Sequence, residues 1–263
     1  MDKPPSNPEP PVIEMTGVTV GTLRDLQSLV LEGVDWKVHK GDFWAIGGMH
    51  GSGKSDLLYM TAGLTPPQAG CYRLFGFEMP IFEGELLKER LRIGLVFDDG
   101  HLFHNLTVRE NIALPFRYHK HDDWRELEER VSALLDLTEL RQYGNVTAVN
   151  LGRNLQKRAG LARALALQPE VLLLDNPVAG VDLREINWWM NLLNQLSTGK
   201  GFMEGRPVTI VVTAEDLRPW RQRASHFAFL QDKRFTGVGG ARELEHHTES
   251  LVRELLAEAT TKV

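Results

Sequence analysis

The stretch Gly48-Met49-His50-Gly51-Ser52-Gly53-Lys54-Ser55 constrains the fold of this 263-residue chain more than any other. It is a complete G-x-x-x-x-G-K-[ST] run, preceded by the apolar residues 43–46 and followed by the helix-forming stretch 56–62. Glycines at these spacings let successive backbone N–H groups turn toward one anion. Lys54 can then reach the outer phosphates, and the Ser55 hydroxyl is suited to Mg²⁺. The candidate phosphate-binding residues are accordingly Gly48, Met49, His50, Gly51, Ser52, Gly53, Lys54, Ser55 and Asp56. The other reading, a glycine-rich strand-to-helix turn that binds nothing, is disfavoured because both flanks are those a phosphate loop needs.

Length and composition narrow the remaining classes. A chain of 263 residues that is 42% hydrophobic can fill the core of one large α/β domain or two small ones. The net charge of −5, with Lys and Arg scattered, argues against nucleic acid as a partner, because such a surface gathers basic residues on one face. Cys71 is the single cysteine, so no intrachain disulfide can form; it reads as a small buried hydrophobe in a reducing compartment. Residues 1–11 are rich in Pro and polar groups and read as a flexible tail without the apolar core of a signal peptide, and no later stretch has the apolar length of a membrane span. The expectation is a soluble protein whose membrane role would come through a partner. The histidines His101, His104, His119, His121, His246 and His247 lack metal-site spacing, so no metal is expected beyond a nucleotide's Mg²⁺.

Taken in order, residues 12–20 and 29–38 read as strands, and Gly41-Asp42 turns the chain into the strand that feeds the phosphate loop. A strand over 70–75, a helix over 84–92 and a buried strand over 93–97 follow, the last ending at Asp98-Asp99-Gly100. Thr107 opens a helix after the loop 100–105. Residues 122–137 place Trp124, Leu127, Val131, Leu134 and Leu135 at helical spacing. Loop and helix over 150–167, an apolar strand over 171–175, a helix over 184–196, strands over 208–213 and 227–230, and one closing amphipathic helix over 241–258 complete the pattern. Strands alternating with helices predict a largely parallel sheet. Trp188 and Trp189 are adjacent on a helix and point to different sides; one faces another subunit or lies under a neighbouring loop.

Three further segments fall in line with the phosphate loop. Leu172-Leu173-Leu174-Asp175 is an apolar strand ending in a carboxylate, the element that sets an Asp behind Mg²⁺. Residues 150–166, with Lys157-Arg158-Ala159-Gly160-Leu161-Ala162-Arg163-Ala164, resemble the signature helix of ATP-binding cassette (ABC) transporter ATPases, and Gly180-Val181-Asp182 resembles the loop after their Mg²⁺ strand. The resemblance runs from residue 12 to residue 255 in the family's order and spacing. Residues 100–115, with Leu102-Phe103 and Leu106-Thr107-Val108-Arg109-Glu110-Asn111, and the ending Leu251-Val252-Arg253-Glu254-Leu255 are similar to the cassettes of maintenance-of-lipid-asymmetry (Mla) type lipid importers.

What the resemblance implies is an α/β P-loop NTPase cassette over residues 12–240, with a mostly parallel core sheet, an antiparallel β subdomain and a helical signature subdomain at about 100–165, followed by a C-terminal helix over 241–263. It implies ATP and Mg²⁺ as cofactors, with Ser55, Asp98 and Asp175 around the metal. It also implies a second cassette, as homodimer or heterodimer, closing head to tail so that each ATP lies between one phosphate loop and the other signature. Membrane permease subunits would dock on 100–115, holding a cytoplasmic chain on the inner face of the cell membrane.

The chain departs from the family at positions that do chemistry. The signature Leu-Ser-Gly-Gly-Gln is replaced by Leu151-Gly152-Arg153-Asn154-Leu155, which removes the serine hydroxyl and puts side chains where glycine backbone approached phosphate. Arg153 could stand in as a cation near phosphate or could block closure. The glutamate after the Mg²⁺ Asp is Asn176, and an amide cannot take a proton as a carboxylate does. The histidine that contacts the γ-phosphate is Ala214, in Thr213-Ala214-Glu215-Asp216, and the glutamine after the 93–97 strand is Asp98, which can still ligate Mg²⁺ through oxygen. No aromatic residue stands between Val18 and Leu29 to stack on adenine; Thr22 or Leu23 falls near its place. The expectation is an ABC transporter subunit that binds Mg-ATP and hydrolyses it weakly or not at all. Two other readings stay open: a non-catalytic cassette that regulates a membrane complex, and an active ATPase in which Glu215 or Asp216 supplies the missing base.

Overall fold

The computed structural model describes residues 10–23, 25, 28–79, 87–119 and 124–257. Residues 1–9 of the tail expected at 1–11, and the parts of the expected helices at 84–86, 122–123 and 258–263, lie outside those residues.

Two sheets organise the chain. Strands β1 (Ile13–Gly21), β2 (Leu29–Val38), β4 (Ala69–Leu74) and β5 (Phe77–Glu78) form an antiparallel sheet in the order β2-β1-β4-β5. The second sheet contains β3 (Phe43–Gly48), β6 (Ile93–Val96), β7 (Val171–Leu174), β8 (Thr209–Ala214), β9 (His226–Gln231) and β10 (Arg234–Gly239), ordered β10-β9-β3-β8-β7-β6. Every pairing in it is parallel except the β9–β10 hairpin. The sequence pattern did not reveal β5 or β10, which are short or half-exposed and carry no apolar run.

Alternation along the strands divides the core. Val171 and Leu173 face a cluster shared with the antiparallel sheet and helix α1 (Lys54–Thr61), whereas Leu172 and Leu174 face a second cluster shared with the helices. Both faces of β7 are covered, so it reads as a continuous apolar run. On the helical side, α2 (Leu87–Arg90) is followed by α3 (Val108–His119), α4 (Trp124–Leu137) and α5 (Arg153–Leu165), which pack on one another. A reciprocal cap opens α3: the Thr107 N–H donates to Glu110 Oε2 at 2.8 Å and the Glu110 N–H to Thr107 Oγ1 at 3.2 Å. Helix α4 buries Leu127, Val131, Leu134 and Leu135, but Trp124 at its first position is exposed.

Three further expectations are corrected. Trp189 is fully buried on α6 (Leu183–Ser197), and Trp188 packs half-buried against the same core, with the Arg158 guanidinium 3.8 Å over its ring. Cys71 on β4 is half-buried rather than buried. The closing helix is two helices, α7 (Ala241–Glu245) and α8 (Ser250–Leu256). The first ends where the His247 N–H turns back to the Leu244 carbonyl. The second is seated by its own contacts, with the Leu255 carbonyl accepting from the Leu217 N–H at 2.9 Å and the Leu255 side chain lying over Gly47.

Parallel pairing has one consequence that matters for function. The carboxyl ends of β3, β6, β7 and β8 share one sheet edge, with Gly47 opposite Ala214, Val96 opposite Leu174 and Leu174 opposite Val212. Residues that follow these strands therefore meet there, although they come from four distant parts of the chain.

Candidate phosphate and metal site

Six buried residues of β3 deliver the chain to Gly48, and α1 begins at Lys54. Between them the backbone takes conformations reserved for glycine: Gly53 has φ 93°, and a Cβ on it would lie 2.2 Å from Val30 Cγ1. A Cβ on Gly48 would meet Ser52 Oγ at 2.4 Å. Gly53 offers no side-chain cap, which leaves the first N–H groups of α1 without a side-chain acceptor at the mouth of the loop. The Ser52 hydroxyl is buried with no hydrogen-bond partner among the described residues. Asp56, in the first turn, accepts from the Leu23 N–H at 3.3 Å and so ties the end of β1 to the loop.

Lys54 is 6% exposed, and its ammonium donates to the Gly48 and Met49 carbonyls at 2.7 and 2.8 Å. Glu215 Oε1 lies 3.7 Å from that ammonium and 3.6 Å from His50 Nδ1. Burial lowers the Lys54 pKa, with the Glu215 and Asp175 charges acting in the opposite direction. A desolvated ammonium, a hydroxyl without a partner among the described residues and a loop with no room for Cβ atoms at Gly48 and Gly53 suit an anion with several oxygens. The residues fit a nucleotide's phosphates.

Asp175 follows β7 and is 2% exposed. Thr213 Oγ1 donates to its Oδ1 at 2.8 Å, and the Tyr59 hydroxyl approaches Oδ2 at 3.4 Å. Burial is the main cause of a raised Asp175 pKa, the Ser55 and Thr213 hydroxyls oppose it, and the nearby Asp98 charge adds to it. Burial and the same carboxylate push the Tyr59 phenol upward. The Ser55 hydroxyl, a buried carboxylate and the second carboxylate of Asp98, whose charge acts on the first, are oxygen donors of the kind a hard divalent cation takes. The native carboxyl keeps its proton to a higher pH than the unfolded one does. Stability therefore falls as pH rises from the ordinary 3.8 through the raised value, and that cost persists at neutral pH. Asp175→Asn removes the buried charge and keeps an acceptor for Thr213. It is expected to raise the melting temperature at pH 7 by a few degrees and to flatten this acid-side slope; calorimetry showing a lower melting temperature would mean that the hydroxyls fully offset the burial.

Asn176 adopts the left-handed conformation at φ 50°, which asparagine tolerates better than most residues. Its N–H donates to Thr213 Oγ1 at 3.1 Å, and its carbonyl accepts from Lys157 at 3.0 Å. Ala214 is buried at the end of β8 and presents only a methyl group. A cleft of about 540 Å³ opens beside these residues, lined by His50, Asn176, Ala179, Ala214, Glu215 and Leu255 among others. Of the two carboxylates weighed as substitute bases, Asp216 is paired with Arg218 at 2.6 Å, and Glu215 faces Lys54.

Leu151 is buried, Gly152 caps α5, Arg153 is exposed in its first turn, and Asn154 and Leu155 are half-buried. Arg153 Nη2 donates to Asp98 Oδ2 at 2.6 Å. Asp98 is thus paired with the start of α5, while its charge acts unfavourably on that of Asp175. Sequence reasoning missed four contributors here: Tyr59, Thr213, Lys157 and the contact of Glu215 with Lys54. Only the carboxylate of Glu215 stood out in the sequence, because the others look like ordinary core or helix residues.

Comparison with known proteins agrees with this geometry. The family model described as ABC transporter matches residues 31–179. A probable sulfate/thiosulfate import ATP-binding protein CysA of Chlorella vulgaris is 32% identical over 230 residues, covering 86% of this chain and 92% of that protein. The intermembrane phospholipid transport system ATP-binding protein MlaF of Escherichia coli K12 is 29% identical over 228 residues, covering 86% and 82%. Among solved structures, the dimeric ATP-binding cassette MJ0796 in a post-hydrolysis state with ADP and Pi has a TM-score of 0.75 at 28% identity, over 87% of this chain and 99% of that one.

Proposed function

This chain belongs to the ABC transporter family, and we propose that it is the ATP-binding subunit of a transporter that binds Mg-ATP and hydrolyses it weakly or not at all. The observation that carries the reading is the sheet edge that holds Lys54 and Asp175: a buried ammonium, a helix N-terminus without a side-chain cap and a buried carboxylate bonded to the Thr213 hydroxyl. In this reading Gly48, Gly51, Gly53 and Lys54 hold the phosphates, with Met49, His50, Ser52 and Asp56 lining the loop, and Ser55 and Asp175, joined by Asp98, hold Mg²⁺. When bound, Mg²⁺ neutralises charge on the phosphate oxygens. These residues serve ground-state binding. Asn176 cannot take a proton from an attacking water, Ala214 has no imidazole to offer the γ-phosphate, and Arg153 and Asn154 replace the signature glycines.

The partners that follow are membrane permease subunits and a second cassette, with the chain peripheral on the cytoplasmic face of the cell membrane. The MJ0796 dimer and the transport roles in the relatives' names support that arrangement. Among the described residues no helix is long and apolar enough to cross a membrane. The finer reading, transport of lipid or another hydrophobic compound by an Mla-like system, is supported by residues 100–115 and 251–255 and by the phospholipid-transport relative. A non-catalytic regulatory cassette is the second reading, favoured by the methyl group of Ala214 and the amide of Asn176 at the two catalytic places.

Calorimetric titration of the purified chain with Mg-ATP tests the proposal. Saturable binding that weakens when Mg²⁺ is chelated is the expected result; no binding would leave the glycine loop an inherited turn and favour the structural role.

A further inference from the structure

Three of the positions at which this chain departs from its family are linked in a chain of contacts: a buried lysine joins Asp98 to Asn176, and Asp98 itself takes Arg153. Lys157 is 1% exposed; its ammonium donates to the Asn176 carbonyl at 3.0 Å and the Ala179 carbonyl at 3.3 Å, and lies 3.0 Å from Asp98 Oδ1. The other oxygen of Asp98 takes the 2.6 Å bond from Arg153. Arg153 occupies the first turn of α5, which contains no acidic residue, so its charge sits unfavourably at the positive end of the helix dipole. Asp98, contributed by the core sheet 55 residues earlier, supplies the missing negative charge. The contact of Lys157 with Oδ1 lies off the hydrogen-bonding direction, and that oxygen is buried with no hydrogen-bond donor. The charge of the same carboxylate acts on Asp175.

We propose that Asp98, Arg153 and Lys157 form a latch that holds the signature segment against the core in the nucleotide-free chain, and that Mg²⁺ arriving with nucleotide competes with Arg153 for Asp98 and releases it. This rests on the Mg-nucleotide reading given above. One carboxylate cannot give full charge to a guanidinium and a divalent cation at once, so each weakens the other. The substitution of aspartate at the metal-side position and arginine in the signature is then a matched pair. Asp98 links the occupancy of the site to the freedom of Arg153, whose guanidinium becomes available to a second anion only after loading.

Two measurements on the full chain test the latch. The first needs no nucleotide: a double-mutant cycle of Asp98→Asn and Arg153→Ala, read as the unfolding equilibrium in urea. A half-exposed ion pair predicts a coupling of about 2–5-fold in that equilibrium. Arg153 is exposed, so its variant folds even where Asp98→Asn, which leaves Lys157 facing an amide, is the less stable of the two; a coupling of unity overturns the latch. The second is calorimetric titration with Mg-ATP. Removing the competitor makes Arg153→Ala bind about 2–5-fold more tightly than the wild-type chain, the loss of one such pair. Equal or weaker binding by Arg153→Ala overturns the release step. If the wild-type chain binds no Mg-ATP, the functional reading and the release step fail together, and the cycle alone decides the latch.

Discussion

Lys54→Ala is expected to weaken Mg-ATP binding by about 10–100-fold or more while leaving the fold intact. The magnitude follows from the loss of a charged donor in a desolvated site, about 1.5–3 kcal/mol for a hydrogen bond to an ionised group. The structure makes the two effects separable. Lys54 is buried, burial lowers its pKa, and its ammonium is held by the loop's own Gly48 and Met49 carbonyls, with Glu215 as its nearest described charged partner. Removing it relieves a desolvated cation and leaves two carbonyls short of a donor, so the melting temperature should stay within a few degrees. Titration and thermal unfolding on the same sample check both halves. Unchanged affinity in a folded Lys54→Ala would sink the phosphate assignment, whereas a collapse of stability would show that the lysine is chiefly a structural brace of the loop.

Asn176→Glu is expected to raise ATP turnover from a barely detectable baseline by about 10²-fold, the low end of the 10²–10⁴ that a general base supplies. Two features hold the gain down. The backbone at Asn176 is left-handed, at φ 50°, which disfavours glutamate relative to asparagine, and Ala214 and Arg153 remain as they are. The backbone bonds of Asn176 to Thr213 and Lys157 do not involve its side chain and should survive the change. Steady-state phosphate release, with the Lys54→Ala variant as background, is the measurement. A wild-type chain that already turns over at ordinary cassette rates, and loses this in Lys54→Ala, would overturn the weak-hydrolysis reading. It would turn attention to Glu215, whose carboxylate lies 3.7 Å from the Lys54 ammonium.

How much of the site was legible depends on how local each part is. The glycine loop announces itself because φ values such as the 93° of Gly53 are forbidden to most residues, so the requirement is written directly into residue identity. The strands before Asp98 and Asp175 were found because buried parallel strands are short apolar runs, and a carboxylate ending such a run stands out. Helical spacing is a weaker signal, because it fixes neither burial nor the ends of a helix. Trp124 has the spacing of a buried face, yet it is exposed at the first position of α4. The final segment has helical periodicity throughout, yet it forms two helices broken at residues 246–249, the second with Leu255 seated over Gly47.

From the sequence alone came the loop, the order of strand, loop and helix and the parallel sheet, all of which rest on backbone conformation and hydrophobic period within a few consecutive residues, while the positions read as altered came from the resemblance to the ABC family. Only the tertiary structure decided how those positions act on one another: that Arg153 answers Asp98, that buried Lys157 reaches both Asp98 and the Asn176 carbonyl, and that Glu215 faces Lys54. Charges interact through space at a few ångströms, and which of them come that close is set by the crossovers that gather four strand ends on one edge, a distance relation that no local pattern encodes.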